Sequence, residues 1–64
     1  MRNDEYLYSP EQLAERLSIP LATLYRWNYL GTGPLPLHVG RHVRYRPSDV
    51  NIWLEERAAE ARAR

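Results

Sequence analysis

Sixty-four residues suffice for one small domain, and the absence of cysteine excludes a disulfide-stapled miniprotein, a thiolate zinc site and thiol catalysis. The net charge is +1 and 44% of residues are hydrophobic, among them two tryptophans, five tyrosines and nine leucines, a balance that favours a packed core over disorder. The uncharged stretch of residues 17–25 is interrupted by Ser18, Pro20 and Thr23 and is far too short to span a bilayer; with no basic-then-apolar leader either, a cytoplasmic protein without membrane contact is expected.

The charges are segregated along the chain. Residues 1–15 set Arg2 against Asp4, Glu5, Glu11 and Glu15, and residues 49–64 hold three arginines against four acids. Between residues 16 and 48 no acid occurs, and Arg16, Arg26, Arg41, Arg44 and Arg46 lie there with His38 and His42. Such a block reads as a contact surface for a polyanion, or as solvated charge neutralised by the acidic ends. All nine basic residues are arginine, which suits bidentate guanine contacts and equally follows from a GC-rich genome.

In chain order, Ser9-Pro10-Glu11-Gln12 predicts a helix start: Ser9 caps, Pro10 takes the first helical position, and Gln12 closes a capping box. Tyr8 and Leu13 stand at hydrophobic-staple positions, and Leu13, Ala14 and Leu17 at helical spacing predict about two turns ending near Ser18. Ile19-Pro20 breaks the helix, and Pro20 is suited to open a second one, with Leu24 and Trp27 as its apolar stripe, ended by Gly31-Thr32-Gly33-Pro34. So short a link forces the steep crossing of a helix-turn-helix. Leu37 and Val39 alternate with His38, and Val43 and Tyr45 with Arg44, predicting a hairpin about Gly40-Arg41-His42. Pairing Val39 with Val43 would put Leu37 and Tyr45 on an inward face and His38, Arg44 and Arg46 on the outer one. Pro47, with Ser48 and Asp49 in the first turn, opens a third helix whose inward face is Val50, Trp53, Leu54 and Ala58. The expected organisation is one domain over residues 1–64, with an ordered core of about 6–57 and a helix-prone tail at 58–64. Because a chain this small buries only about 60% of its unfolded surface, Trp27 and Trp53 are expected to carry much of the core.

Helix, tight turn, helix, arginine-tipped hairpin and helix make a winged helix-turn-helix, mostly α with a small two-stranded wing. The residues Ser9-Pro10-Glu11-Gln12-Leu13-Ala14-Glu15-Arg16-Leu17, Thr23-Leu24-Tyr25-Arg26-Trp27, Val39-Gly40-Arg41, Val43-Arg44-Tyr45, Ser48-Asp49-Val50 and Trp53-Leu54 resemble the MerR-like domains of phage excisionases. The resemblance spans roughly residues 6–56, departing at Ile19-Pro20, where many relatives cap the recognition helix with serine. It implies a small non-enzymatic recombination directionality factor that binds adjacent sites, bends DNA and helps an integrase excise the prophage in the bacterial host cytoplasm. Small transcription regulators share the pattern, and a protein-interaction adaptor meeting an acidic partner is the alternative from another class.

Ala22, Tyr25, Arg26 and Tyr29 fall on one helical face, opposite Leu24 and Trp27, and form the expected recognition face for double-stranded DNA. Arg26 is suited to a bidentate guanine contact, and Tyr25 to a phosphate or a thymine methyl; Tyr25 and Tyr29 also fit as partly buried core aromatics. Thr23 serves a phosphate or packing, and Arg16 is the candidate contact on the first helix. On the wing, Arg41 beside His42 at the tip suits the minor groove, whereas Arg44 and Arg46 suit phosphates, with pairing to Asp49 or Glu56 as the alternative for the latter two. His38 and His42 have no third ligand to make a metal site, and no nucleophile, base and orienter occur together, so no metal, cofactor, small-molecule substrate or catalysis is expected. Ile52 lies off the inward face of the third helix. The absence of a dimerisation coiled coil fits head-to-tail self-association of copies on tandem DNA sites.

Overall fold

Serine and glutamine, three residues apart, set the first turn as the sequence pattern predicts. The computed structural model describes residues 6–64, and its first helix, α1, runs Pro10–Leu17. The Ser9 hydroxyl accepts the Gln12 amide at 3.1 Å, the Gln12 side-chain oxygen accepts the Ser9 amide at 2.9 Å, and Pro10 takes the first position, where no amide is needed. At the other end Ser18 adopts the left-handed conformation, φ 59°, which lets the Ile19 amide reach back to the Ala14 carbonyl at 3.0 Å and closes the helix.

The second helix, α2, runs Leu21–Leu30. Pro20 stands one residue outside it as an extended N-cap rather than as the first helical residue, and its carbonyl accepts the Thr23 amide at 3.0 Å. No side chain caps this end, the structural counterpart of the missing serine. Gly31, φ 74°, ends α2, and two residues further on a Cβ at Gly33 would stand a tight 3.1 Å from the Cβ of Trp27.

Strands β1, Leu37–Val39, and β2, His42–Arg44, form an antiparallel hairpin whose register differs from the one the alternation predicts. Leu37 pairs with Arg44, His38 with Val43 and Val39 with His42. The loop is two residues, Gly40-Arg41, with Gly40 alone at positive φ, 63°, so His42 belongs to a strand. The one-residue slip exchanges partners across the ladder. Leu37 and Val39 therefore share a face with Arg44 and His42, and Val39 is exposed instead of inward. His38 shares the face of Val43, not the outer face with Arg44. Beyond β2, Tyr45 pairs with Tyr8 through two backbone hydrogen bonds of 2.8 and 2.9 Å, tying the segment before α1 to the base of the wing.

The third helix, α3, runs Pro47–Ala63, so that residues 58–63 continue it without a break. Its 17 residues make it about 25 Å long. The largest fully buried side chains among the described residues are Leu13, Leu24, Tyr45 and Val50, one from each helix and one from the end of the wing, with Ala14 beside them. Tyr8, Leu17, Leu21, Trp27, Val43 and Leu54 pack around that centre. The tryptophans are half-buried rather than central: Trp27 and Trp53 meet at 5.4 Å between ring centroids, and the Trp53 indole donates to the Thr32 carbonyl at 3.0 Å. They pin α3 to the loop after α2, beside a core built of leucine, valine and tyrosine. The architecture is a small winged helix-turn-helix.

Candidate nucleic-acid interface

Folding brings the wing over the start of α1 and the middle of α2. Between them lies a groove of about 390 Å³, lined by Ser9, Pro10 and Glu11 at the head of α1, by Tyr25 of α2, and by Arg41, His42, Val43 and Arg44 of the hairpin. Two arginines and a histidine thus face a single carboxylate, Glu11, among the lining residues. Tyr25 is 49% exposed, and it adds a smaller push to the burial that raises the Tyr45 phenol above its usual value.

The remaining residues of the expected recognition face are presented to solvent. Ala22, Arg26 and Tyr29 are exposed on α2, Tyr29 at 89%, which disposes of the alternative that Tyr29 is a core aromatic. Thr23 is half-buried at the first turn of the helix. None of these four lines the groove, so the structure joins Tyr25 to the wing and leaves Ala22, Arg26 and Tyr29 on the open surface of the same helix. Among the described residues, Arg26 and Arg41 make no hydrogen bond or ion pair, and their guanidinium groups have nothing to release before meeting a phosphate or a base edge.

The other arginines are engaged. Arg44 is half-buried, and its Nη1 donates to the Val43 carbonyl at 2.7 Å. Arg46 donates from two nitrogens to the Asp49 carboxylate, at 2.7 and 3.2 Å, the pairing that the sequence leaves open for it. Arg16 donates to the Tyr8 hydroxyl at 3.0 Å and to Asn51 Oδ1 at 3.4 Å, while its guanidinium stands over the Tyr8 ring at 5.6 Å. Arg16 is therefore a strut joining α1 to α3 and to the segment before α1, away from the groove.

Sequence reasoning missed the contribution of Ser9, Pro10 and Glu11 to the groove wall, because their capping pattern explains them fully as local structure. It also missed the Arg16–Asn51 contact, which joins positions 35 apart with no periodic signal between them. His38 and His42 are both exposed, and among the described residues no group of three histidine, cysteine or acidic side chains converges on one point. No helix among them is long and apolar enough to cross a membrane.

A helix-turn-helix domain family model matches residues 7–58, four fifths of the chain, taking in α1, α2, the hairpin and the first twelve residues of α3. The chain belongs to the helix-turn-helix domain family. No curated protein and no solved structure matches it. Membership of the helix-turn-helix family, one of DNA-binding and typically non-enzymatic domains, supports sequence-specific DNA binding.

Proposed function

We propose that this helix-turn-helix protein is an architectural DNA-binding protein, an excisionase that occupies tandem sites, bends the DNA and directs an integrase toward prophage excision in the cytoplasm of a bacterial host. The observation that carries the DNA-binding part is the groove in which Tyr25 meets Arg41, His42 and Arg44, continuous in chain with the exposed Arg26 and Tyr29 of α2. A helix and a wing spaced in this way suit adjacent major and minor grooves, with α2 supplying base contacts and the wing supplying phosphate contacts. Arg26 reads a guanine in the major groove, and Tyr25, Thr23, Ala22 and Tyr29 shape the surface around it. Arg41 and His42 approach the minor groove at the tip of the wing. Arg44 carries most of the wing's phosphate contact, because Arg46 shares its charge with Asp49.

The recombination role is favoured by the small size of the contact surface together with the resemblance to phage excisionases. One module of this kind covers on the order of 600–1,000 Å² of DNA and binds a lone site modestly, so copies placed head to tail gain by raising one another's effective concentration. Selection of a preferred duplex from a random library, followed by gel shifts on one, two and three copies of that site and a circular-permutation bending assay, tests the proposal. Cooperative occupancy with bending supports the excisionase reading. Independent occupancy of unbent DNA would replace it with that of a simple transcription regulator, and binding without salt dependence would point to a protein-interaction adaptor.

A further inference from the structure

The outer face of α3 presents a surface of the opposite character to the groove. Asn51, Ile52, Glu55, Glu56 and Ala59 line a shallow depression of about 400 Å³ on the helix, and a second one of about 270 Å³ adjoins it, walled by Gly33, Leu35, Asp49, Ile52, Trp53 and Glu56. Ile52 and Glu56 belong to both, so the two form one continuous surface. Two aliphatic side chains stand open on it, Ile52 at 58% exposure, shared by both depressions, and Leu35 at 57%, on the wall of the second, while the core needs of α3 are met by Val50 and Leu54. No basic residue lines either depression. Asp49 is paired with Arg46 and Glu60 with Arg57, but among the described residues Glu55 and Glu56 make no ion pair or hydrogen bond.

We propose that this face docks a segment of another protein in which an apolar side chain is flanked by lysines or arginines. The aliphatic pair supplies an anchor site, and the two unpaired carboxylates beside it select a basic partner and repel nucleic acid and anionic lipid. Exposed ion pairs contribute little individually, so the apolar anchor sets the affinity and the carboxylates set the sign of the partner. The surface shares no residue with the basic groove, and both are open to occupation at the same time. The chain's own exposed apolar and basic segments include the wing tip, Val39 with Arg41, and the face of α2 with Arg26 and Tyr29, both of which the DNA reading already employs; the choice of another protein over a second copy rests on that reading.

The test is a titration of the isotopically labelled full chain, followed by amide chemical shifts, with a short synthetic helical peptide bearing two leucines one turn apart flanked by arginines. Two control peptides replace the leucines with serine or the arginines with glutamate. The expected result is saturable shifts around residues 33–35 and 51–59 with the first peptide only. Ile52→Asp, or the double change Glu55→Lys with Glu56→Lys, should weaken docking at least about tenfold while leaving the circular dichroism spectrum and the preference for the selected duplex over a scrambled one at parent values. Equal binding of the glutamate peptide, shifts centred on residues 41–44, or shifts at Ile52 that develop with protein concentration alone would overturn the proposal, the last in favour of a second copy. Peptide docking by a parent chain that fails to bind any duplex would refute the DNA reading alone.

Discussion

Tyr45 is the largest of the fully buried side chains, and its hydroxyl is buried without a hydrogen-bond partner. A buried hydroxyl that forgoes its bonds to water costs about 1–3 kcal/mol, so Tyr45→Phe, which keeps the ring and removes the oxygen, is expected to stabilise the fold by about 1 kcal/mol. An unfolding entropy of about 2.1 cal/mol/K per residue gives a chain of 64 residues roughly 0.13 kcal/mol/K, so the midpoint of thermal unfolding should rise by roughly 7 °C. The pH dependence supplies an independent sign. Burial, and secondarily the nearby Tyr25, raise the Tyr45 phenol above its usual value of 10.0. The folded chain then holds the proton where the unfolded chain releases it, so this contribution to stability is fully present below about pH 10 and is lost as pH rises through the folded value. Thermal melts by circular dichroism at pH 7 and at stepped alkaline pH, on parent and Tyr45→Phe, should show the variant more stable at neutral pH and less sensitive to alkali. A variant several degrees less stable than the parent at pH 7 would refute this reasoning, because it would mean that the hydroxyl is hydrogen-bonded.

Ser18→Gly relieves a left-handed non-glycine residue and, after the extra entropy of glycine in the unfolded chain is offset, should stabilise by about 0.5–1 kcal/mol in urea unfolding. Leu24→Ala empties the centre of the core and costs about 2.7–5 kcal/mol, against a total stability of roughly 3–10 kcal/mol for a chain this size, so loss of cooperative melting at 37 °C is expected. Arg16→Ala removes the bonds to Tyr8 and Asn51 and should lower stability by about 1 kcal/mol while leaving the salt dependence of DNA binding as it was; a slope shallower by about one would return Arg16 to the DNA contacts.

What was legible in the sequence was local. Ser9 and Gln12 cap α1 because both bonds close within one turn, Gly31 ends α2 because left-handed backbone favours glycine, and the alternation of Leu24 with Tyr25 and Arg26 separates core from surface on one helix. The hairpin register was not legible, since strands of three residues hold too few side chains to fix the pairing, and a two-residue turn satisfies Gly40 as well as the three-residue turn that the alternation suggests. The strut from Arg16 to Asn51 and the bridge from Tyr8 to Tyr45 are long-range contacts between residues with other plausible local roles, so nothing in their spacing announces them. The half-buried tryptophans have the same origin, for among the described residues no further layer covers α3 and Trp53 is left at the edge, with Arg57 over its ring at 5.6 Å.

The central claim is that α2 reads DNA sequence while the wing holds the phosphates, and competition binding on a selected duplex and a scrambled one, each over a range of salt concentrations, tests it directly. Arg26→Ala should lose about 1–3 kcal/mol on the selected duplex and little on the scrambled one, so that preference narrows. Arg44→Ala should weaken both alike and flatten the salt slope by about one. Preference left intact by Arg26→Ala but altered by Arg44→Ala would reverse the roles of helix and wing, and binding of the parent indifferent to both salt and sequence would contradict DNA recognition by this surface.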